Sequence, residues 1–510
     1  MSEPQHYQLS RRGFLAAATV TAAGLGLAAC GRETATTTRT NLADAIAAAE
    51  SRRPHSGRTI SSTLSAERVR LDLGGQFAES LSYNGSVPGP LVRASVGDEL
   101  AVTLSNRLDH ATSVHWHGIA LRNDMDGASP ATPDIKPGSE FTYRFSLPHP
   151  GTYWAHPHTG LDADTGLYFP VIVDDPNDPG DYDAEWVVMF DDWTDGVGPS
   201  PAEIYDRLRG GGSGGGHDMP GMTGMPGMPG MQGGGNDMGS SELLGGDAGD
   251  VSYPLYLANG RVPQEPTTFR ANPGDRVRIR LINAGSDTAF RVALAGHQLT
   301  VTHTDGFAVV PSQADAVLLG MGERYDVVVT AGDGVFPLVA SAEGKNASTR
   351  ALLVTGAGSP PAPDFSPGEL GGRVATVDGL VPAPGAALPA AAADVELPAE
   401  LGGSMTKYDW TINGQPFTKT HPLEVREGQR VALTFNNMTM MWHPMHLHGH
   451  TFEVVGAQGR KGPRKDTVIV LPMQRLRVEF VADNPGVWMM HCHNTYHQDA
   501  GMMTSLNYRS

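Results

Sequence analysis

Three segments of this chain share one pattern: a glycine, apolar residues three, five and seven positions on, and an asparagine at the ninth. They run Gly97, Leu100, Val102, Leu104, Asn106; Gly274, Val277, Ile279, Leu281, Asn283; and Gly428, Val431, Leu433, Phe435, Asn437. Alternation of this kind marks a strand with one buried face, and recurrence so far apart marks repeated domains rather than a solenoid. An Asn-Gly pair precedes each segment, at Asn84-Gly85, Asn259-Gly260 and Asn413-Gly414, consistent with a turn entering each strand. Many short alternating runs parted by Gly and Pro turns point to antiparallel sandwiches. The expected architecture is all-β: three consecutive Greek-key β-sandwich domains at about 58–178, 183–357 and 372–510, joined through Asp174 to Gly180 and Ser359 to Pro367. A chain of 510 residues is long enough for three such cores.

The N-terminus reads as an address rather than as fold. Ser10-Arg11-Arg12-Gly13-Phe14-Leu15 and the short run of small residues behind it form a twin-arginine export signal. Leu27-Ala28-Ala29-Cys30 resembles a bacterial lipobox, so residues 1–30 are expected to be a signal, Cys30 to carry lipid, and residues 31–57 to be a tether, helical in part by its alanine content. The expected location is therefore the outer face of the cytoplasmic membrane, in the cell envelope. Cys492 is the other cysteine of the two, and if each has its own task no disulfide remains. A formal net charge of −18 argues against a nucleic-acid partner, and a monomer is expected.

Residues 491–502 set Cys492 between His491 and His493, with His497 five residues and Met502 ten residues beyond the thiol. A thiolate, two histidines and a distant methionine are the ligands of an electron-transfer copper site, because soft sulfur stabilises Cu(I) while imidazole serves both oxidation states. Cys492, His497 and Met502 supply three of those four. On an extended segment His491 and His493 point away from Cys492, towards a second metal centre one residue off.

Histidine pairs at spacing two are more frequent than chance allows. Nineteen histidines scattered at random would give roughly 0.7 such pairs. The chain has five: His115/His117, His156/His158, His446/His448, His448/His450 and His491/His493. Residues two apart on a strand share a face, so each pair can present two imidazoles to one cavity. Their placement follows the repeat. Pro150-Gly151 precedes His156-Pro157-His158 as Pro485-Gly486 precedes His491-Cys492-His493, so Pro157 stands where Cys492 stands. His115-Trp116-His117-Gly118 corresponds to His446-Leu447-His448-Gly449, and the second domain has neither pair. Eight imidazoles from the first and third domains can meet at their interface, which is the ligand count of a three-copper cluster.

These four segments, His-x-His-Gly, His-x-His, His-x-x-His-x-His and His-Cys-His-x3-His-x4-Met, resemble the multicopper oxidase signature over the whole mature chain, within the family most nearly the copper-resistance, lipoprotein-type enzymes of actinobacteria. The resemblance implies three cupredoxin-like domains and four copper ions. It implies a type 1 copper on His443, Cys492, His497 and, weakly, Met502; a type 2 copper on His115 and His446; and paired type 3 coppers on His117, His156, His158, His448, His491 and His493. It further implies one-electron oxidation of substrate at type 1, transfer through Cys492 to His491 and His493, and four-electron reduction of O2 to water at the cluster. Asp126 matches a family acid that supplies protons there. Gln498 stands where many bacterial relatives have a glutamate, with Asp499 as a weak substitute. Asp466 resembles an acid that orients a type 1 histidine.

In a loop of the second domain, at about 209–240, lie Met219, Met222, Met225, Met228, Met231 and Met238 among Gly and Pro, six of the chain's 20 methionines. A plain linker has no need of so many oxidisable thioethers. Thioethers bind Cu(I), which makes this stretch a copper-gathering segment. Met438, Met440 and Met441 precede His443, and Cu(I)-oxidising relatives have a methionine and an acid near this spot; here Met441 is present without the acid. Cu(I) is the expected substrate, for copper detoxification. A broad phenol or aromatic amine (laccase) or Fe(II) oxidase, and a copper-sequestering lipoprotein, are the alternatives.

Overall fold

A computed structural model describes residues 42–178, 180–210 and 239–509. Residues 45–509 form one compact unit; in the separate unit that precedes it, the described residues 42–44 are helical. Residues 45–51 are helical as well, in the part of the chain expected to be a tether. The twin-arginine motif, Cys30 and the methionines from Met219 to Met238 lie outside the described residues.

The repeated pattern becomes the same strand three times, at Glu99–Asn106, Arg276–Asn283 and Arg430–Asn437. Its glycine precedes the strand with φ of +83°, +90° and +86°, a backbone that favours residues without a Cβ. Its asparagine is buried at the far end, and there the side chain replaces a turn's missing backbone partners. Asn106 Nδ2 donates to the carbonyls of His110 and Ile135, Asn283 Nδ2 to Thr288 and Leu319, and Asn437 Nδ2 to Met441 and Leu471. Each Oδ1 accepts from a backbone N–H two residues on, at Leu108, Gly285 and Thr439. The loop leading to the next strand is thereby held in the same way in all three domains.

Two findings differ from expectation. The Asn-Gly turns follow the strands Phe77–Tyr83, Leu255–Ala258 and Asp409–Ile412 rather than entering the repeated strand directly. Asn84, Asn259 and Asn413 adopt φ near +50° and bond to the neighbouring strand, which explains the residue type. The sheets are also not wholly antiparallel. The repeated strand pairs in parallel with Thr59–Asp72, Ala184–Trp193 and Val395–Ser404, the opening strand of each domain.

Each domain is two sheets, of four and four, six and six, and six and five strands. The fold is thus mostly β. Leu64, Val102, Trp116 and Phe145 belong to the core of the first domain. Ile279, Val327, Leu433 and Val478 belong to a core continuous through the second and third. Among the described residues no helix is long and apolar enough to cross a membrane.

Candidate metal centre

The ligand strands are paired by register. In the first domain His115–His117 runs antiparallel to Gly151–His156, with His115 opposite His156. In the third, His443–Leu447 runs antiparallel to Val487–Cys492, with His446 opposite His491 and Met445 opposite Cys492. The two His-x-His strands then meet crosswise: the rings of His115 and His448 stack at 3.7 Å, and those of His117 and His446 at 3.9 Å. Alternation along Val487–Cys492 sends His491 and Cys492 to opposite faces.

The loop after His117 returns against this arrangement. Gly127 has φ of +85°, and a Cβ on it would lie 1.7 Å from the Val114 carbonyl oxygen. That close approach brings Asp126 beneath the cluster. Its carbonyl accepts from His115 Nδ1 at 2.9 Å and its Oδ2 from His448 Nδ1 at 2.9 Å.

The eight imidazoles fall into three sets. His115 and His446 face each other, Nε2 to Nε2, at 3.4 Å. His491 Nε2 lies 3.0 Å from His448 Nε2 and 3.4 Å from His158 Nε2. The rings of His117, His156 and His493 are 4.9–5.8 Å apart between centres. Burial, reinforced in most by neighbouring imidazoles, holds His156, His158, His448, His491 and His493 well below the ordinary histidine range. They are therefore neutral, the form that ligates a metal.

This donor set fits copper. The Nδ1 atoms of His115, His446, His156 and His491 point to the carbonyls of Asp126, Asp466, Pro157 and Cys492. A carbonyl only accepts, so each Nδ1 carries the hydrogen and each Nε2 presents a lone pair inward. His117 is reversed: its Nε2 is held by Asp466 Oδ1 at 3.1 Å and Thr467 Oγ1 at 3.0 Å, which leaves Nδ1 facing inward. His117 Nδ1, His156 Nε2 and His493 Nε2 are buried without a hydrogen-bond partner. Facing lone pairs and orphaned nitrogens among neutral rings call for cations, and imidazole suits copper.

Around Cys492 the arrangement is different. Its Sγ lies 3.6 Å from His443 Nδ1 and 3.7 Å from His497 Nδ1, and those two nitrogens are 3.2 Å apart. His497 sits in the one-turn helix Thr495–Asp499, whose start is capped by Asn494 Oδ1 accepting from Tyr496 N and His497 N. Met502 is fully buried, and its backbone bonds to Cys492 N and the His497 carbonyl. Burial opposes charge on His497, yet hydrogen bonds to Asp250 and Cys492 push it up to about 10, so the surroundings favour a cation. A buried cysteine sulfur with two imidazoles matches the soft, low-coordinate preference of an electron-transfer copper.

The expected ligands thus lie in two neighbouring centres, with His491, Cys492 and His493 continuous between them. Asp126 is at the cluster. Asp466, expected beside a type 1 histidine, is also at the cluster, against His117 and 3.5 Å from His446 Nδ1. The reason is register: the adjoining Thr467 pairs with His446, whereas Val470 pairs with His443. Asp499 lies beside Tyr205, on the helix Pro201–Arg209, rather than at the cluster. Met441, expected as a Cu(I) contact, is buried in the core, whereas Met438 and Met440 are exposed.

Three residues at these centres were not found from sequence. Asp250 Oδ2 accepts from His497 Nε2 at 2.9 Å. Thr439 Oγ1 is 2.9 Å from His443 Nε2. Arg324 clamps Asp466 with two bonds of 2.7 and 2.6 Å, and with burial opposing it this keeps Asp466 well below the usual carboxylate range. Asp250 and Arg324 lie outside the histidine-bearing segments, in a region without a motif.

Comparison with known proteins agrees with this geometry. Profiles described as multicopper oxidase match residues 66–178, 184–358 and 392–510. The chain is 58% identical to the multicopper oxidase MmcO of Mycobacterium tuberculosis over 98% of this chain and 97% of that one. It is 27% identical to a copper resistance protein A homolog of Pseudomonas syringae pv. tomato, over 86% and 90% respectively. Among solved structures, the laccase from Botrytis aclada superposes with a TM-score of 0.72 at 26% identity, covering 90% of this chain and 89% of that one. The chain belongs to the multicopper oxidase family, an oxidoreductase family that binds four copper ions of types 1, 2 and 3.

Proposed function

We propose that this oxidase takes its electrons from Cu(I), in copper detoxification, at a methionine surface beside His443. The observation that carries this reading is the exposure of three thioethers around one loop: Met438 is 56% exposed, Met440 74% and Met473 61%. Met473 N donates to the Thr439 carbonyl, so the loops holding these methionines touch, and Thr439 itself contacts His443 Nε2. Large apolar side chains normally avoid such exposure, and unbranched thioethers are soft donors for Cu(I). The sequence from Met219 to Met238 adds further thioethers, and the copper resistance relatives support the same substrate.

Bound copper supplies the redox chemistry: one-electron uptake at the thiolate site and four-electron reduction of O2 at the histidine cluster. Overall, four Cu(I), four protons and one O2 give four Cu(II) and two waters. The protein's own part is to place donors. Thr439 and Asp250 fix the outer nitrogens of His443 and His497. Cys492 joins that site covalently to His491 and His493, and Asp126 and Asp466 orient the cluster rings.

The test is Cu(I)-dependent oxygen uptake by the copper-loaded protein, compared with a Met438→Leu, Met440→Leu, Met473→Leu variant and with a deletion of 219–238. The triple variant is expected to lose about ten-fold in kcat/KM for Cu(I) while keeping its uptake with a small organic reductant. Equal loss with both reductants would refute a role specific to Cu(I). We also propose twin-arginine export and lipid on Cys30, anchoring a monomer at the outer face of the cytoplasmic membrane. Recovery of Cys30→Ser in the same membrane fraction as wild type would remove the anchor from this picture.

A further inference from the structure

The outer edge of the thiolate site is closed by a phenol that belongs to the protein. Tyr408 Oη donates to Asp250 Oδ2 at 2.8 Å, and the same oxygen accepts from His497 Nε2 at 2.9 Å. The Tyr408 ring lies 5.9 Å from the His497 ring, 5.9 Å from Trp410 and 6.5 Å from Tyr205 on the helix Pro201–Arg209. Only 2% of Tyr408 is exposed.

Its backbone makes the residue choice informative. Tyr408 ends the turn between the strands Val395–Ser404 and Asp409–Ile412 with φ of +48°, a conformation that glycine or asparagine adopts at less cost than an aromatic residue. Turn geometry therefore does not call for tyrosine here. The contacts of its ring and hydroxyl do.

A phenolic substrate needs two things at a copper ligand: an aromatic slot against the imidazole, and an acceptor for its O–H. Both exist beside His497, and Tyr408 holds both. We propose that Tyr408 is a specificity-determining plug that fills a latent phenol subsite formed by Asp250, His497, Trp410 and Tyr205. It turns the oxidase away from phenols and leaves the methionine loop at His443 as the route for Cu(I). This inference rests on the Cu(I) reading above, since that route does not pass Tyr408.

Removal of the ring should leave a slot of its own shape. Engineered buried cavities of about 150 Å³ bind benzene, and p-cresol is the tyrosine side chain as a free molecule. In the reaction unmasked by opening the slot, each p-cresol gives up one electron and its phenolic proton and becomes an aryloxyl radical. Four such electrons and four protons convert one O2 to two waters, so no further reactant is needed.

The experiment compares copper-loaded wild type, Tyr408→Gly, Tyr408→Ala and Tyr408→Phe. Glycine suits the left-handed backbone, alanine checks that any effect does not come from chain flexibility, and phenylalanine keeps the ring. Under anaerobic, reducing conditions p-cresol is expected to raise Tm by roughly 2 °C in the Gly and Ala variants and in neither of the others. In air, the ratio of kcat/KM for p-cresol to kcat/KM for Cu(I) should rise about ten-fold or more in those two variants only. The plug is overturned if Tyr408→Phe gains as much as Tyr408→Ala. It is equally overturned if variants that still oxidise Cu(I) gain neither Tm nor turnover with p-cresol. A wild type that takes up no oxygen with Cu(I) defeats the Cu(I) reading alone, and the p-cresol comparison then still decides the plug.

Discussion

Asp126 shows how much one side chain can organise. Its backbone oxygen fixes His115, its Oδ2 fixes His448, and its Oδ1 is buried with no hydrogen-bond partner. It therefore touches two of the three ring sets. Loss of a partner that orients a metal-binding histidine typically costs about 10–100-fold in metal affinity or activity. Asp126→Asn keeps the shape but not the charge, and oxygen uptake is expected to fall within that range while the blue absorption of the thiolate site is unchanged. Uptake equal to wild type would reduce Asp126 to packing. Its place was legible through the family resemblance, in the segment that follows His117. Asp466 was read at the wrong centre, because only the pairing of Thr467 with His446 tells which end of the strand it joins.

The repeated strand was legible because two-residue alternation is a local property of a half-buried strand, and the buried asparagine adds a local mark to it. Loops carry no such period, and their anchors emerge only from geometry. Gly160–Asp164, just after His158, is pinned on one side by His110 Nε2 to Asp162 Oδ2 at 3.0 Å, and on the other by Tyr496 Oη to Asp164 Oδ2. The Asp162 hydrogen bond pushes His110 up to about 9, with burial opposing it. A raised pKa means that this stabilisation is complete below the unfolded value near 6.5 and is lost as pH rises through about 9. The Tm difference between wild type and His110→Gln should accordingly shrink across that interval and vanish above it. A difference independent of pH would remove the ion pair from the account, leaving only packing.

In the assembled molecule the second domain holds neither of the paired-histidine motifs, yet it supports both centres. Arg324 clamps Asp466 across 142 residues of sequence, and Asp250, between the second domain's strands Ala184–Trp193 and Leu255–Ala258, caps His497 across 247. Lys465, Asp305 and Glu323 extend the first contact into a fully buried charged network between the second and third domains. Removing one partner of a buried pair leaves an uncompensated charge, at a cost of about 3–5 kcal/mol. Arg324→Met should show a loss of that size in denaturant unfolding, together with lowered copper content at the cluster. A loss under 1 kcal/mol, on the order expected of a surface pair, would mean that water reaches Asp466. The histidines and the cysteine that gather at the two centres could be read from the chain, because short extended segments set donors at fixed small spacings that survive in one dimension. The split of the other six histidines into two sets, the centre that Asp466 serves, and Asp250 and Thr439 behind the outer nitrogens of His497 and His443 could not. Those depend on which strand ends and loops meet across hundreds of residues, and packing chooses such contacts without leaving a spacing in the sequence.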